Sequence, residues 1–220
     1  GTLIGINLSR FAEEIVIWSS AEFNYVTLSD SFATKSSSFS QANNPDVAEL
    51  TRGKAGRMIG DLTGLLATLK GLPLSYNRDL QEDKEAIFDI ADTLQQILPA
   101  FTGMISTMTF NVERMDELAG QGFTLATDVA EWLVKSRVPF REATEITEKL
   151  VTFASKRGVG LEELTDAELV SISPLLTPDV REALSVAGSI KARTGAGGTS
   201  VARVLDQISA LRRLVPQGSR

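Results

Sequence analysis

Apolar residues recur at helical spacing through most of this chain, and that period predicts its elements. Leu8, Phe11, Ala12, Ile15 and Val16 mark an amphipathic helix over residues 8–20. Residues 21–45 carry no period: a connection containing Phe23 and Tyr25 leads into a stretch of hydroxyls and amides from Ser31 to Pro45, which predicts a mobile loop. Asn44-Pro45-Asp46 then reads as a helix start, with an amide N-cap, Pro at the first position and an acid at the positive end of the helix dipole. Val47, Leu50, Met58, Ile59, Leu62, Leu66 and Leu69 continue the helix to Lys70, where Gly71 and Pro73 stop it.

Gly53, Gly56, Gly60 and Gly64 share one face of that helix. Each mid-helix Gly costs about 1 kcal/mol relative to Ala, so the stripe predicts close approach of another helix. A helix from Pro45 to Lys70 is about 39 Å long, more than a monomer of this size readily covers, and an intersubunit bundle is its natural setting. A second long helix, from Asp83 to Thr109, carries Ile87, Ile90, Leu94, Ile97, Phe101, Met104 and Met108, with Pro99 predicted to kink it. Met and Phe at this spacing mark core packing.

Asn111 is predicted to cap a short helix ending near Ala119, and Gly120-Gln-Gly122 marks a boundary. The organisation expected is a central helical-bundle segment, 1–119, containing loop 31–45, followed by a C-terminal all-α subdomain with a return helix, 120–220. In the second part, helices are expected over residues 124–136, from Pro139 to Gly158, behind a Thr165/Glu168 capping box, after Thr177-Pro178, and from Ser200 to Leu214. The Gly-rich turn Arg193–Gly198 follows no strand and is not a dinucleotide fingerprint. No strand stands out, so the class is all-α.

Composition narrows the chemistry. Of 220 residues, 43% are hydrophobic and 23% charged, as in an ordinary globular protein, and the net charge of -6 lacks the basic footprint of a nucleic-acid binder. The absence of Cys fits a reducing compartment. The absence of His is more telling, since it removes the commonest general base and metal ligand. Proton transfer must then use Ser, Tyr, Lys, a carboxylate or another chain. The opening residues lack the basic segment and cleavage site of a signal peptide, and no apolar run reaches the ~18 residues of a membrane span. A soluble, cytoplasmic chain is expected, without contact to membrane or nucleic acid.

Lys70 to Glu85, between the two long helices, holds a phenol, amides, a guanidinium, ammonium groups and carboxylates, far more chemistry than a turn requires. Asn77-Arg-Asp-Leu-Gln-Glu-Asp-Lys-Glu85, preceded by Leu69-Lys-Gly-Leu-Pro-Leu-Ser-Tyr76, resembles the argininosuccinate lyase family of the fumarase/aspartase superfamily. So do Leu8-Ser-Arg-Phe-Ala-Glu-Glu14, Trp18-Ser-Ser-Ala-Glu-Phe23 and Asn44-Pro-Asp-Val-Ala-Glu-Leu-Thr-Arg-Gly-Lys-Ala-Gly-Arg57. Leu125-Ala-Thr-Asp128, Pro139-Phe-Arg-Glu-Ala143 and Gly197-Gly-Thr199 match the family's C-terminal domain.

The resemblance implies the C-terminal half of such an enzyme: a long-helix bundle with a small helical subdomain, assembled as a homotetramer with sites shared between subunits. It implies reversible β-elimination of argininosuccinate to arginine and fumarate, without cofactor or metal. By position, Ser36 matches the family's catalytic base and Glu49 the carboxylate that pairs with a His of another subunit, while Asn44, Tyr76, Gln81 and Lys84 match substrate contacts.

Departures bear on that expectation. The family loop usually reads Gly-Ser-Ser-x-Met-Pro-x-Lys-Lys-Asn-Pro, and here Ser40, Ala42 and Asn43 replace its Pro and both lysines. Asn7 and Thr144 stand where relatives commonly carry His. The family's His-bearing N-terminal motifs are not in this chain, which therefore cannot complete the site alone. Two further readings follow: a relative with lost or altered activity in a structural or regulatory role, or a superfamily lyase acting on another succinyl adduct.

Overall fold

Three long helices carry the first half of the chain: α1 (Thr2–Ser19), α2 (Asp46–Leu69) and α3 (Asp83–Thr107). The computed structural model describes residues 1–35 and 43–215. Cross-helix contacts fix the directions. The Thr2 hydroxyl donates to the Met58 carbonyl at 3.2 Å, Phe11 packs edge-on against Phe101 with ring centroids 5.4 Å apart, and Arg57 of α2 pairs with Asp89 of α3. Thus α1 and α3 run alike and α2 runs against both. Ala12, Ile15, Leu28, Ala48, Phe101 and Met104 form the buried core of this unit, Gly1–Met115. The core gathers at one end of the bundle. At the other, Leu62, Leu66, Leu69, Ile87 and Phe88 of the α2–α3 hairpin are exposed.

Several expectations shift. The first helix begins at Thr2, six residues before the expected start at Leu8. A Cβ on Gly5, within this added length, would overlap the Met58 side chain, so the glycine serves close packing inside a helix. The glycines of α2 do the reverse, since a Cβ on Gly53, Gly56, Gly60 or Gly64 would meet nothing within 4 Å. Among the described residues, then, the expected approach of another helix is not made, and the face is open.

Asn44 is not the N-cap of α2. Pro45 takes that place, and Asn44 lies in a two-residue strand, β3 (Asn43–Asn44), paired with β2 (Thr34–Lys35). The described ends of the expected mobile loop 31–45 are therefore an antiparallel ladder, with Thr34 opposite Asn44. A second ladder joins β1 (Val26–Thr27) to β4 (Thr109–Phe110). Two residues are too few for an alternating pattern to register in sequence, which is why no strand was expected. Helix α4 (Val112–Ala119) follows Asn111 as expected. The Asn111 amide donates to the Asn24 carbonyl at 2.8 Å, and its oxygen accepts from Thr27, tying α4 to the first ladder. Helix α3 continues through Pro99.

From Asp116 the chain forms its own unit. Helices α5 (Ala126–Lys135) and α6 (Phe140–Arg157) pack together, and α7 (Asp166–Ile172) and α8 (Val186–Ala192) follow, separated by short 3-10 turns. Val129, Leu133, Leu150, Leu164, Leu169 and Val180 are fully buried at its centre. Gly158 ends α6 in the left-handed region at φ 72°. The Thr165/Glu168 capping box forms as the sequence predicts, with Arg157 clasping the same Glu168 carboxylate at 2.5 Å. The last helix, α9 (Val201–Leu214), leaves Val201, Leu205 and Leu211 exposed. Among the described residues, no helix is long and apolar enough to cross a membrane.

Candidate active site

The polar stretch after α2 is built by its own backbone. Gly71 turns the chain at φ 70°. The Asn77 amide donates to the Pro73 and Ser75 carbonyls at 2.7 and 3.0 Å, folding the loop back on itself. This holds Tyr76 outward, 87% exposed. A 3-10 turn, Arg78–Glu82, presents Gln81 and runs directly into α3, where Lys84 sits in the first turn. The Lys84 ammonium donates to Asp83 at 3.0 Å and is otherwise open to solvent, with its side chain 54% exposed. Tyr76, Gln81 and Lys84 therefore stand at one end of the α2–α3 hairpin, exposed and capable of meeting a polar, anionic ligand.

The remaining candidates lie elsewhere. Asn44 is fixed in β3, whose neighbour Asn43 donates to Asp30 at 3.2 Å. Lys35 also bonds Asp30, at 2.8 Å, and holds that carboxyl below the ordinary carboxylate value. Glu49 lies in the first turn of α2, where the helix dipole favours a carboxylate. Its side chain is half exposed, with an Arg52 nitrogen 4.0 Å away, and Arg52 in turn bonds Glu13 of α1 at 2.6 Å. Ser36 and Ala42 lie outside the described residues.

Helix α2 keeps the two sets apart. Its 24 residues extend about 36 Å, with Asn44 and Glu49 at its start and the Tyr76–Lys84 stretch folding back from its end. The Arg57–Asp89 pair sets Lys84 opposite the last third of α2, near Leu62. From there to Glu49 is about 20 Å along the helix. One chain therefore does not assemble Glu49 and Lys84 into one site.

The grooves do not replace that site. One of about 650 Å³ between α2 and α3 is lined by Arg57 with Asp61, Glu82, Glu85, Asp89 and Asp92, a poor host for an anion. A larger one, about 830 Å³, lies between α5 and α6 and is mostly apolar, with Ala130, Val134, Phe140 and Val151 in its wall and none of the candidate residues. Among the described residues, no cluster of three or more acids could hold a metal ion.

One built polar cluster escaped the sequence reading. Asp128 of α5, only 7% exposed, accepts from Arg193 at 2.7 Å and from the Ser189 hydroxyl at 2.9 Å. Arg193 also bonds Glu131 at 2.7 Å. Asp128 was visible only as part of a matched motif, and nothing in the local pattern announced a partner 65 positions away.

Comparison with known proteins finds relatives over 97% of the chain. The family described as Argininosuccinate lyase C-terminal matches residues 123–191, and the family described as Lyase matches residues 2–60. The argininosuccinate lyase of Thermobifida fusca is 60% identical over 97% of this chain and 45% of its own length. That of Clavibacter michiganensis subsp. michiganensis is 62% identical over 97% of this chain and 43% of its own. The chain thus spans less than half the length of the curated relatives it matches. Among solved structures, an EDDS lyase variant with bound fumarate aligns at a TM-score of 0.82 and 26% identity, over 97% of this chain and 44% of that one. A 3-carboxy-cis,cis-muconate lactonizing enzyme from Pseudomonas putida shares the fold at a TM-score of 0.61 and 22% identity, over 86% of this chain and 45% of that one. Predominantly helical, with motifs matched from α1 to the turn before α9, the chain belongs to the argininosuccinate lyases of the fumarase/aspartase superfamily and corresponds to their C-terminal part.

Proposed function

We propose that this chain is the C-terminal part of an enzyme that cleaves argininosuccinate reversibly to arginine and fumarate, in the cytoplasm, as a step of arginine biosynthesis. The observation that carries the reading is the 60% identity to a curated argininosuccinate lyase across 97% of the chain. The base, Ser36, removes the proton beside a substrate carboxylate. The resulting carbanion is held as a dianion, and its electron pair forms the fumarate double bond as the C–N bond to the guanidinium breaks. The nitrogen keeps that bonding pair and, once protonated, leaves as arginine. Lys84, Gln81, Tyr76 and Asn44 hold the substrate and the developing charge, since such an intermediate needs fixed cations and donors around it. Glu49 pairs with a His supplied by another chain.

The separation along α2 supports an assembly in which one copy supplies the Asn44–Glu49 end and another the Tyr76–Lys84 end. A homotetramer is the closed arrangement we infer, with the open glycine face of α2 and the exposed apolar positions of the hairpin at its helix contacts.

A second reading keeps the scaffold and changes the substrate or the rate. Ala42 and Asn43 stand where the family loop carries lysines, which removes a cation from the place where the family stabilises the intermediate. The likeness to EDDS lyase supports a different succinyl adduct as the alternative substrate. Fumarate release separates the readings, measured by ultraviolet absorbance on this chain joined to the N-terminal half of the Thermobifida fusca relative. Turnover of argininosuccinate by a tetramer is the result expected. A folded tetramer without turnover would transfer the case to the second reading.

A further inference from the structure

A three-residue cluster that includes none of the candidate site residues joins α2 to α3. Arg57 of α2 grips Asp89 of α3 with two nitrogens, Nε to Oδ2 at 2.6 Å and Nη2 to Oδ1. Asp61, one turn along α2 from Arg57, faces the same Asp89. One Asp61 oxygen, Oδ2, is shut off from solvent and has no hydrogen-bond partner among the described residues. Two carboxyl groups therefore share one guanidinium that is already committed to one of them. An ionised Asp61 would present a desolvated, unpaired charge beside a second negative charge. A protonated Asp61 would instead donate to Asp89.

We propose that Arg57, Asp61 and Asp89 form a proton-operated clamp between α2 and α3, closed while Asp61 holds a proton and loosened when that proton leaves. The surroundings reinforce the sign. Facing the pair, Arg57 and Lys54 come from α2, Asp89, Glu85 and Asp92 from α3, and Glu82 from the 3-10 turn, so acids outnumber bases around Asp61. Desolvation, and the hydrogen bond that a protonated Asp61 can make to Asp89, raise the Asp61 carboxyl above its ordinary 3.8. The bond from Arg57 lowers that of Asp89.

Folded Asp61 thus keeps a proton that the unfolded chain releases near 3.8, and its contribution to stability falls as pH rises through the folded value. Asp89 acts in the opposite sense: its contribution is present above 3.8 and is lost as pH falls through its own lowered value. The clamp is tightest around pH 3.8, above the lowered Asp89 value and below the raised Asp61 value. Lys84 stands five residues before Asp89 on the same helix, so the clamp sets how firmly the hairpin end bearing Tyr76, Gln81 and Lys84 is held.

The test is Asp61→Asn in this chain, melted across a pH series. The amide is a permanent donor. Parent and variant should melt alike well below pH 3.8, where Asp61 is protonated in both states. They should separate as pH rises, the variant gaining about 2–4 °C at neutral pH. In an Asp89→Asn background the same substitution should no longer give a pH-dependent gain. Equal Tm values at every pH, or a gain unchanged by pH or by Asp89→Asn, would overturn the clamp. Carboxyl-carbon NMR of the parent tests it without any variant: a midpoint for Asp61 above 3.8 supports it, and a midpoint at or below that value refutes it.

Discussion

Replacing Lys84 by Met, in the chain completed with the N-terminal half of the Thermobifida fusca relative, should lower fumarate release by about 10²–10³-fold, as loss of one preorganised donor to a developing charge does. The helical circular dichroism signal should not change. Among the described residues Lys84 pairs only with the adjacent Asp83, and its side chain is 54% exposed, so little of the fold depends on it. Methionine keeps most of the length and loses the charge together with its hydrogen-bond donors. Its effect should fall on both kcat and kcat/KM, because the cation is needed most where the dianion forms. A variant that turns over like its parent would remove Lys84 from the site and, with it, the reading of the hairpin end as half of an active centre.

The second large effect belongs to stability. Asp128→Ala should destabilise the second unit by about 2–3 kcal/mol, seen as a lower urea midpoint for its helical signal. Asp128 is 7% exposed and uses both oxygens, one for Arg193 and one for the Ser189 hydroxyl. Removing it leaves Arg193 with Glu131 alone and strands the Ser189 hydroxyl in a part-buried place. The loss stays below that of a fully buried ion pair because the Arg193 side chain is 34% exposed and water can take up part of its charge. Asp128→Asn, which keeps an acceptor for one of the two partners, should cost less. An Asp128→Ala chain as stable as its parent would mean the cluster contributes nothing to holding the end of α8 against α5.

Those two residues show what the sequence made legible. Long helices announce themselves by their period: Val47 to Leu69 and Ile87 to Met104 marked α2 and α3 to within a few residues. The capping box at Thr165 was equally readable, because its chemistry is local. Features built by distant partners were not. Gly5 sits inside α1 against the Met58 side chain, a contact that no local pattern announces. Asn44 reads as an N-cap until Thr34 is found opposite it in a strand of two residues. Asp128 and Arg193, 65 positions apart, have no pattern that joins them.

The candidate site divides in the same way. Tyr76, Gln81 and Lys84 are close in sequence and close in the fold. Asn44 and Glu49 are separated from them by the length of α2, which the sequence showed only as a helix of a certain number of residues. That one chain does not bring Glu49 and Lys84 together required the register that Arg57 and Asp89 set.

The central claim is that Glu49 and Lys84 serve one site from two chains, and mixing tests it directly. Two completed chains, one carrying Glu49→Gln and one carrying Lys84→Met, should each be slow alone. Unfolded together and refolded as a mixture, they should regain fumarate release, with both groups intact in about a quarter of the sites if copies combine at random. A mixture no faster than its components, in tetramers shown to contain both chains, would contradict the shared site.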